Sequence, residues 1–71
     1  MFNEKKFRGV SAERGVKMRT IAESLGIDPA TLYRKVKGNS DFTRAEIQEI
    51  VKLLSLSAEE VQEIFFSEKL A

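Results

Sequence analysis

Apolar residues recur three and four positions apart in five stretches of this chain, with short polar breaks between them, the pattern of amphipathic helices sharing one core. The first stretch spans residues 3–14. Asn3 is placed to cap it, Phe7 and Val10 face inward, and Gly15 stands just past its end. Phe2, ahead of the cap, is positioned as a hydrophobic staple. Gly9 lies inside this helix at a cost of about 1 kcal/mol relative to Ala, and close packing is the one reason the sequence suggests for it. Further on, Thr43-Arg44-Ala45-Glu46 has the form of a capping box and opens a fourth helix with Ile47, Ile50, Val51 and Leu54 on one face. Phe42 precedes that cap as a second staple. Ser57-Ala58-Glu59-Glu60 repeats the box and opens a fifth helix that ends near Phe66, with Val61, Ile64 and Phe65 as its stripe.

Between the first and fourth helices lies segment 18–37, MRTIAESLGIDPATLYRKVK. Ile21, Ala22 and Leu25 keep helical spacing until Gly26, the residue expected where a helix ends in a left-handed conformation. Asp28 then offers a carboxylate to the orphan N–H groups of a new helix. Pro29 takes the first helical position, where its missing N–H costs nothing. Two helices so close in sequence must cross steeply, and small Ala22 lets them approach. The segment is predicted to be a helix-turn-helix.

The second helix of that motif has a divided surface. At about 100° per residue, Leu32 and Val36 share one face, while Ala30, Arg34 and Lys37 fall opposite. Thr31 and Tyr33 lie on the flanks, and Lys35 sits nearer the apolar side. Such an outer face suits a DNA major groove: Arg can bind guanine O6 and N7 together, and the methyls of Ala and Thr can meet a thymine methyl. The same residue types also fit a solvated basic face on an ordinary helical hairpin; the tight turn and its cap chemistry favour DNA.

Residues 37–41, Lys-Gly-Asn-Ser-Asp, read as a loop rich in turn formers and backbone donors. At the other end of the chain, Phe7, Leu25, Leu32, Ile47, Ile50 and Leu54 already supply a core. Two readings of Phe65 and Phe66 stay open: both close the core from below, or one of them, with Leu70, forms a dimer or partner contact. Leu53 and Leu56 fit either surface.

Charge changes this picture more than composition does. The 71 residues carry a net charge of only +1, but residues 1–44 hold ten basic and five acidic side chains, +5, and residues 45–71 hold two and six, −4. A basic half containing the reading helix and an acidic half behind it would orient the molecule on phosphate. Glu at helix starts explains part of the acidic half but not the basic excess upstream. With no His and no Cys, the usual neutral-pH bases, thiol nucleophiles and imidazole metal ligands are missing. The four Gly are scattered, so no phosphate loop is formed. Neither catalysis, nor a metal, nor a cofactor is expected. The absence of Cys suits a reducing compartment, and no apolar run approaches the ~20 residues that span a bilayer; the expected location is the cytoplasm.

Residues 7–66 resemble the small phage-type helix-turn-helix repressors, the lambda-repressor-like and Cro-like family, especially the short regulators of phages and mobile elements in Gram-positive bacteria. Segment 21–38 (IAESLGIDPATLYRKVKG), segment 40–47 (SDFTRAEI) and the pair Phe65-Phe66 carry the likeness. Ala22, Gly26 and Leu32 match the family's small, turn and core positions. That family commonly opens the first motif helix with Thr-Gln, whereas this chain has Lys17-Met18, so the phosphate bond of that Gln is not carried over; Lys17 and Arg19 could supply charge there. The resemblance also implies that the loop after the motif lies along the DNA backbone.

The expectation is therefore a single all-α domain over residues 1–71, five short helices in a lambda-repressor-like bundle with its motif at 18–37. It implies a sequence-specific double-stranded DNA-binding regulator, a repressor acting as a homodimer. Pro29, Ala30, Thr31, Tyr33 and Arg34 are the candidate base-reading residues. Lys17, Arg19, Lys35, Lys37, Gly38, Asn39 and Arg44 are the candidate backbone contacts, and Phe65, Phe66 and Leu70 the candidate dimer or partner contacts. The rival is a protein-interaction module, a modulator of repression or antirepressor that binds a partner regulator. A third possibility is the DNA-binding part of a longer, oligomerising protein.

Overall fold

The cap residues set the helix starts. In the computed structural model, which describes residues 2–67, five helices follow one another: α1 (Glu4–Glu13), α2 (Met18–Leu25), α3 (Pro29–Val36), α4 (Arg44–Leu54) and α5 (Ala58–Phe65). Asn3 begins α1, its Oδ1 accepting from the Lys6 N–H at 3.1 Å. Both capping boxes form. Thr43 and Glu46 exchange bonds of 3.1 and 2.8 Å, and Ser57 and Glu60 bonds of 3.1 and 3.0 Å. Each box satisfies two N–H groups that a helix start would otherwise leave open.

Four of the five helices end in one device, a left-handed residue with paired backward bonds. Past α2, Gly26 takes φ 69°, its N–H donates to the Glu23 carbonyl, and the Ile27 N–H reaches back to Ala22 at 3.0 Å. This pair of backward bonds closes the last turn and turns the chain sharply. Past α4 the same pair forms around Ser55, with φ 53°, in a conformation that a Cβ disfavours.

The core draws on every helix. Phe7, Ile21, Leu32, Ile50, Leu54 and Ile64 are the largest fully buried side chains, each worth roughly 1.5–3 kcal/mol of burial. α2 packs against α3 and α4, while α1 packs against α5. Three polar links fix the α1–α5 pair: the Asn3 N–H donates to the Ile64 carbonyl at 2.7 Å, Lys6 Nζ lies 3.1 Å from Glu63, and Arg14 grips Glu60 through two hydrogen bonds. Ser24 Oγ to Glu49 at 3.0 Å links α2 to α4.

Aromatic rings close one end. Phe2 stacks 5.3 Å from Phe7, the expected staple, and also lies 5.1 Å from Phe42 and 5.5 Å from Phe65. Phe42 meets Phe65 edge-on at 5.8 Å. Phe65 is only 8% exposed and belongs to the core, which corrects its candidacy as a dimer contact. The staple rings leave room for it. Leu56 is buried and Leu53 packs on the core's margin. Leu70 lies outside the described residues. Gly9 is also corrected: an added Cβ would meet nothing within 4 Å, so close packing does not explain it. Among the described residues no helix is long and apolar enough to cross a membrane.

Candidate nucleic-acid interface

The two motif helices start differently from the other three. Lys17 precedes α2 with no side chain able to accept from its first turn. Asp28 precedes α3 in the extended conformation a cap requires, yet its carboxylate takes no N–H bond, contrary to the sequence expectation. By contrast α1, α4 and α5 are capped by Asn3, Thr43 and Ser57. The open N–H groups and the positive end of the helix dipole therefore remain available at α2 and α3, where an anion or a base acceptor can use them.

The face of α3 divides as its periodicity predicts. Leu32 and Val36 are buried; Pro29, Ala30, Arg34 and Lys37 are exposed, and Tyr33 is 54% exposed. Thr31 is half-buried, its Oγ1 3.5 Å from Arg34 Nη2, a long contact that leaves the guanidinium fork open to solvent. Past α3, Gly38 takes φ 87° and both Gly38 and Asn39 are exposed, but their N–H groups donate back to the Lys35 and Arg34 carbonyls at 3.1 and 2.9 Å, so what Asn39 offers a ligand is its side chain.

Lys35 does not join this surface. Its side chain runs inward, and Nζ donates to the Asp41 carbonyl at 2.9 Å. The same ammonium lies 3.3 Å from Glu46 Oε1 and 5.8 Å from the centre of the Phe42 ring. Burial opposes ionisation of Glu46, but the Thr43 N–H and the Lys35 ammonium outweigh it and hold the carboxyl below its ordinary value. Lys35 is thereby corrected from a phosphate contact to a strut that ties the loop after α3 to the start of α4.

The remaining cations fall into two groups. Lys6, Arg8, Arg14 and Lys37 pair with Glu63, Glu4, Glu60 and Glu4. Among the described residues the exposed cations with no ion pair are Lys5, Lys17, Arg19, Arg34, Arg44 and Lys52. Three of these six belong to the motif or its cap: Lys17 and Arg19 at the start of α2 and Arg34 in the last turn of α3; Arg44 lies beyond it, in the first turn of the capped α4. The pairing thus leaves positive charge free at the open start of α2 and on the outer face of α3.

Lys37 was expected to be free and is not. One oxygen of Glu4, Oε2, accepts from Arg8 Nε at 2.8 Å and from Lys37 Nζ at 3.2 Å. Both cations lie over the Tyr33 ring, at 5.8 and 5.3 Å from its centre. The hydrogen bonds from Arg8 and Lys37 hold the Glu4 carboxyl below its usual range, and Glu4 in turn raises Lys37. Sequence reading passed over this cluster. The Glu4–Arg8 spacing of four was its one visible sign; the approach of Lys37 from α3 is tertiary.

At the far end of α3, about 12 Å from Pro29 by helical rise, an open groove of about 610 Å³ runs between Phe2, Phe42, Phe65 and Phe66 on one side and Lys37, Gly38 and Ser40 on the other. Phe66, 52% exposed, forms its rim. Among the described residues no cluster of His, Cys, Asp or Glu is able to hold a metal ion. Comparison with protein-family models finds no match for the chain, and a search of curated proteins finds none either.

Proposed function

We propose that the protein is a sequence-specific double-stranded DNA-binding regulator that enters the major groove with α3, as its resemblance to the lambda-repressor-like family implies, and that it acts as a homodimeric repressor. The observation that carries this reading is the coincidence of two features at α2 and α3. These are the helices whose starts no side chain caps, and three of the six unpaired exposed cations, Lys17, Arg19 and Arg34, belong to them or to their caps. Open N–H groups at the start of α2 can fix a phosphate, and free Lys and Arg supply the counterion-releasing contacts that give affinity. Arg34, with its fork open, is assigned to a base edge, with Pro29 and Ala30 close to bases and Thr31 and Tyr33 flanking. Asp28 sets a negative charge at the start of α3, which suits a donor such as cytosine N4 rather than a phosphate.

A second reading, a protein-interaction module that binds a partner regulator, draws on the groove rimmed by Phe66. Selection from a random duplex pool with the purified chain separates the two. An enriched inverted repeat with half-sites about one helical turn apart, ~34 Å, is the expected result. A single half-site keeps the regulator and removes the stable dimer. No enrichment overturns DNA reading in favour of the partner module.

A further inference from the structure

Glu4, Arg8, Tyr33 and Lys37 are drawn from two helices and from the residue that ends α3, yet they meet at one point. A single carboxylate oxygen receives both cations, at 2.8 and 3.2 Å, and the one tyrosine of the chain lies beneath them. Two cations fixed around one anionic oxygen have the form of a phosphate seat, with the carboxylate in the place of a phosphate oxygen. The occupant is held loosely. The side chains of Glu4, Arg8 and Lys37 are 31, 41 and 41% exposed, and ion pairs so open to water contribute little. A phosphodiester offers two such oxygens and can displace it.

The geometry points to the Arg8–Lys37 pair as a DNA-backbone phosphate site, occupied in the free protein by Glu4 as an internal stand-in. The inference rests on the DNA reading above and deepens it. It puts α1, outside the motif, in contact with the backbone, and it gives Glu4 a function: to keep the seat filled until a duplex displaces it, which weakens binding to phosphate of any sequence. Tyr33 holds both cations in register from below, so its ring acts as a platform as well as a flank of the reading face.

Glu4→Gln tests this, since the amide keeps the shape and removes the charge. Four proteins are compared by circular dichroism for folding and then for binding: the wild type, Glu4→Gln, and Arg8→Ala/Lys37→Ala with and without Glu4→Gln. Should the double variant not fold, Lys37→Gln replaces it. On a random-sequence duplex, Glu4→Gln is expected to bind up to about fivefold more tightly, with the slope of log K against log salt steeper by about 0.9 for each phosphate gained. Inorganic tripolyphosphate should change Tyr33 emission at lower concentration in Glu4→Gln than in the wild type; with one Tyr and no Trp, that emission reports the seat. Both gains should vanish without Arg8 and Lys37. Gains that persist in that background reduce Glu4 to general charge and overturn the inference, as does the absence of any gain. If no variant binds duplex, the DNA reading falls, and tripolyphosphate decides the seat alone: a saturable Tyr33 response strengthened by Glu4→Gln upholds it, and no response overturns it.

Discussion

Arg14 and Glu60, 46 residues apart, face each other through two parallel hydrogen bonds, Nη1 to Oε1 at 3.0 Å and Nη2 to Oε2 at 2.9 Å. The same carboxylate also accepts from the Ser57 N–H, so it serves the clasp between α1 and α5 and the start of α5 together. The Arg14 guanidinium first, and the Ser57 N–H after it, bring its pKa down to about 2. A lowered carboxyl stabilises the folded state fully above its unfolded value near 4.5 and loses that contribution as pH falls toward 2. Glu60→Gln keeps the cap, because an amide oxygen can still accept. Urea unfolding between pH 7 and pH 2 should therefore show a flatter acid limb for Glu60→Gln than for the wild type. Glu4 and Glu46 are lowered as well and should leave part of the slope in place. Parallel limbs would remove Glu60 from the account.

Lys35→Ala should affect stability rather than DNA. It strips a buried donor from the Asp41 carbonyl and from Glu46, at a cost of about 1–3 kcal/mol. Because Nζ is engaged by the Asp41 carbonyl and Glu46 and the side chain is only 10% exposed, the salt dependence of DNA binding should keep its slope at temperatures where the variant remains folded. A slope lower by about 0.9 would restore Lys35 as a phosphate contact.

Two backbone substitutions should raise stability. Gly9→Ala places a methyl in open space within α1 and should add about 0.5–1 kcal/mol. Ser55→Gly relieves a left-handed residue after α4 and should add about as much. In a domain of this size each should lift the melting temperature by roughly 4–8 °C per kcal/mol. A loss in either case would mean that the native conformation at that position differs from the one described.

The two terminal phenylalanines should behave oppositely. Phe65→Ala opens the ring cluster of Phe2, Phe42 and Phe65 and should cost about 3–5 kcal/mol. Phe66→Ala should change the stability of the monomer by less than about 0.5 kcal/mol. If Phe66 lies between protomers, sedimentation at increasing concentration should show weaker self-association in Phe66→Ala. Identical profiles would take Phe66 out of a dimer contact.

On DNA, Arg34→Ala should cost about 1–3 kcal/mol on the selected site and relax preference at one base pair, whereas Lys17→Ala should weaken all sequences alike. Equal losses of Arg34→Ala on every duplex would make Arg34 a phosphate contact.

How far the sequence foretold these features follows the range of the forces involved. Asn3, Thr43, Glu46, Ser57 and Glu60 act within one helical turn, and their bonds could be read from spacing alone. Leu32 and Val36 were legible because a 3.6-residue period fixes which side they bury. Lys35 was not: its stem follows the apolar side while its ammonium finds Asp41 and Glu46, partners that only the return of the chain supplies. Asp28 had the right type and place, but its carboxylate does not bond the turn it precedes. Phe65 and Phe66 are neighbours of one kind, separated only by where Phe2 and Phe42 leave a space. The α1–α3 cluster at Glu4 is the same lesson in charge.

The clasp between α1 and α5 also bears on how the molecule is made. At about 5–20 residues per second, the 46 residues separating Arg14 from Glu60 take the ribosome roughly 2–9 s to add. Throughout that interval Phe7 and Val10 have been synthesised and their partner helix has not. Within the same interval α2 and α3 are both completed, so the motif is synthesised in full before the helix that steadies its scaffold. The nascent chain thus passes through a period when its motif helices precede the clasp that steadies them, and chaperones or proteases that scan emerging polypeptides meet an exposed α1 first.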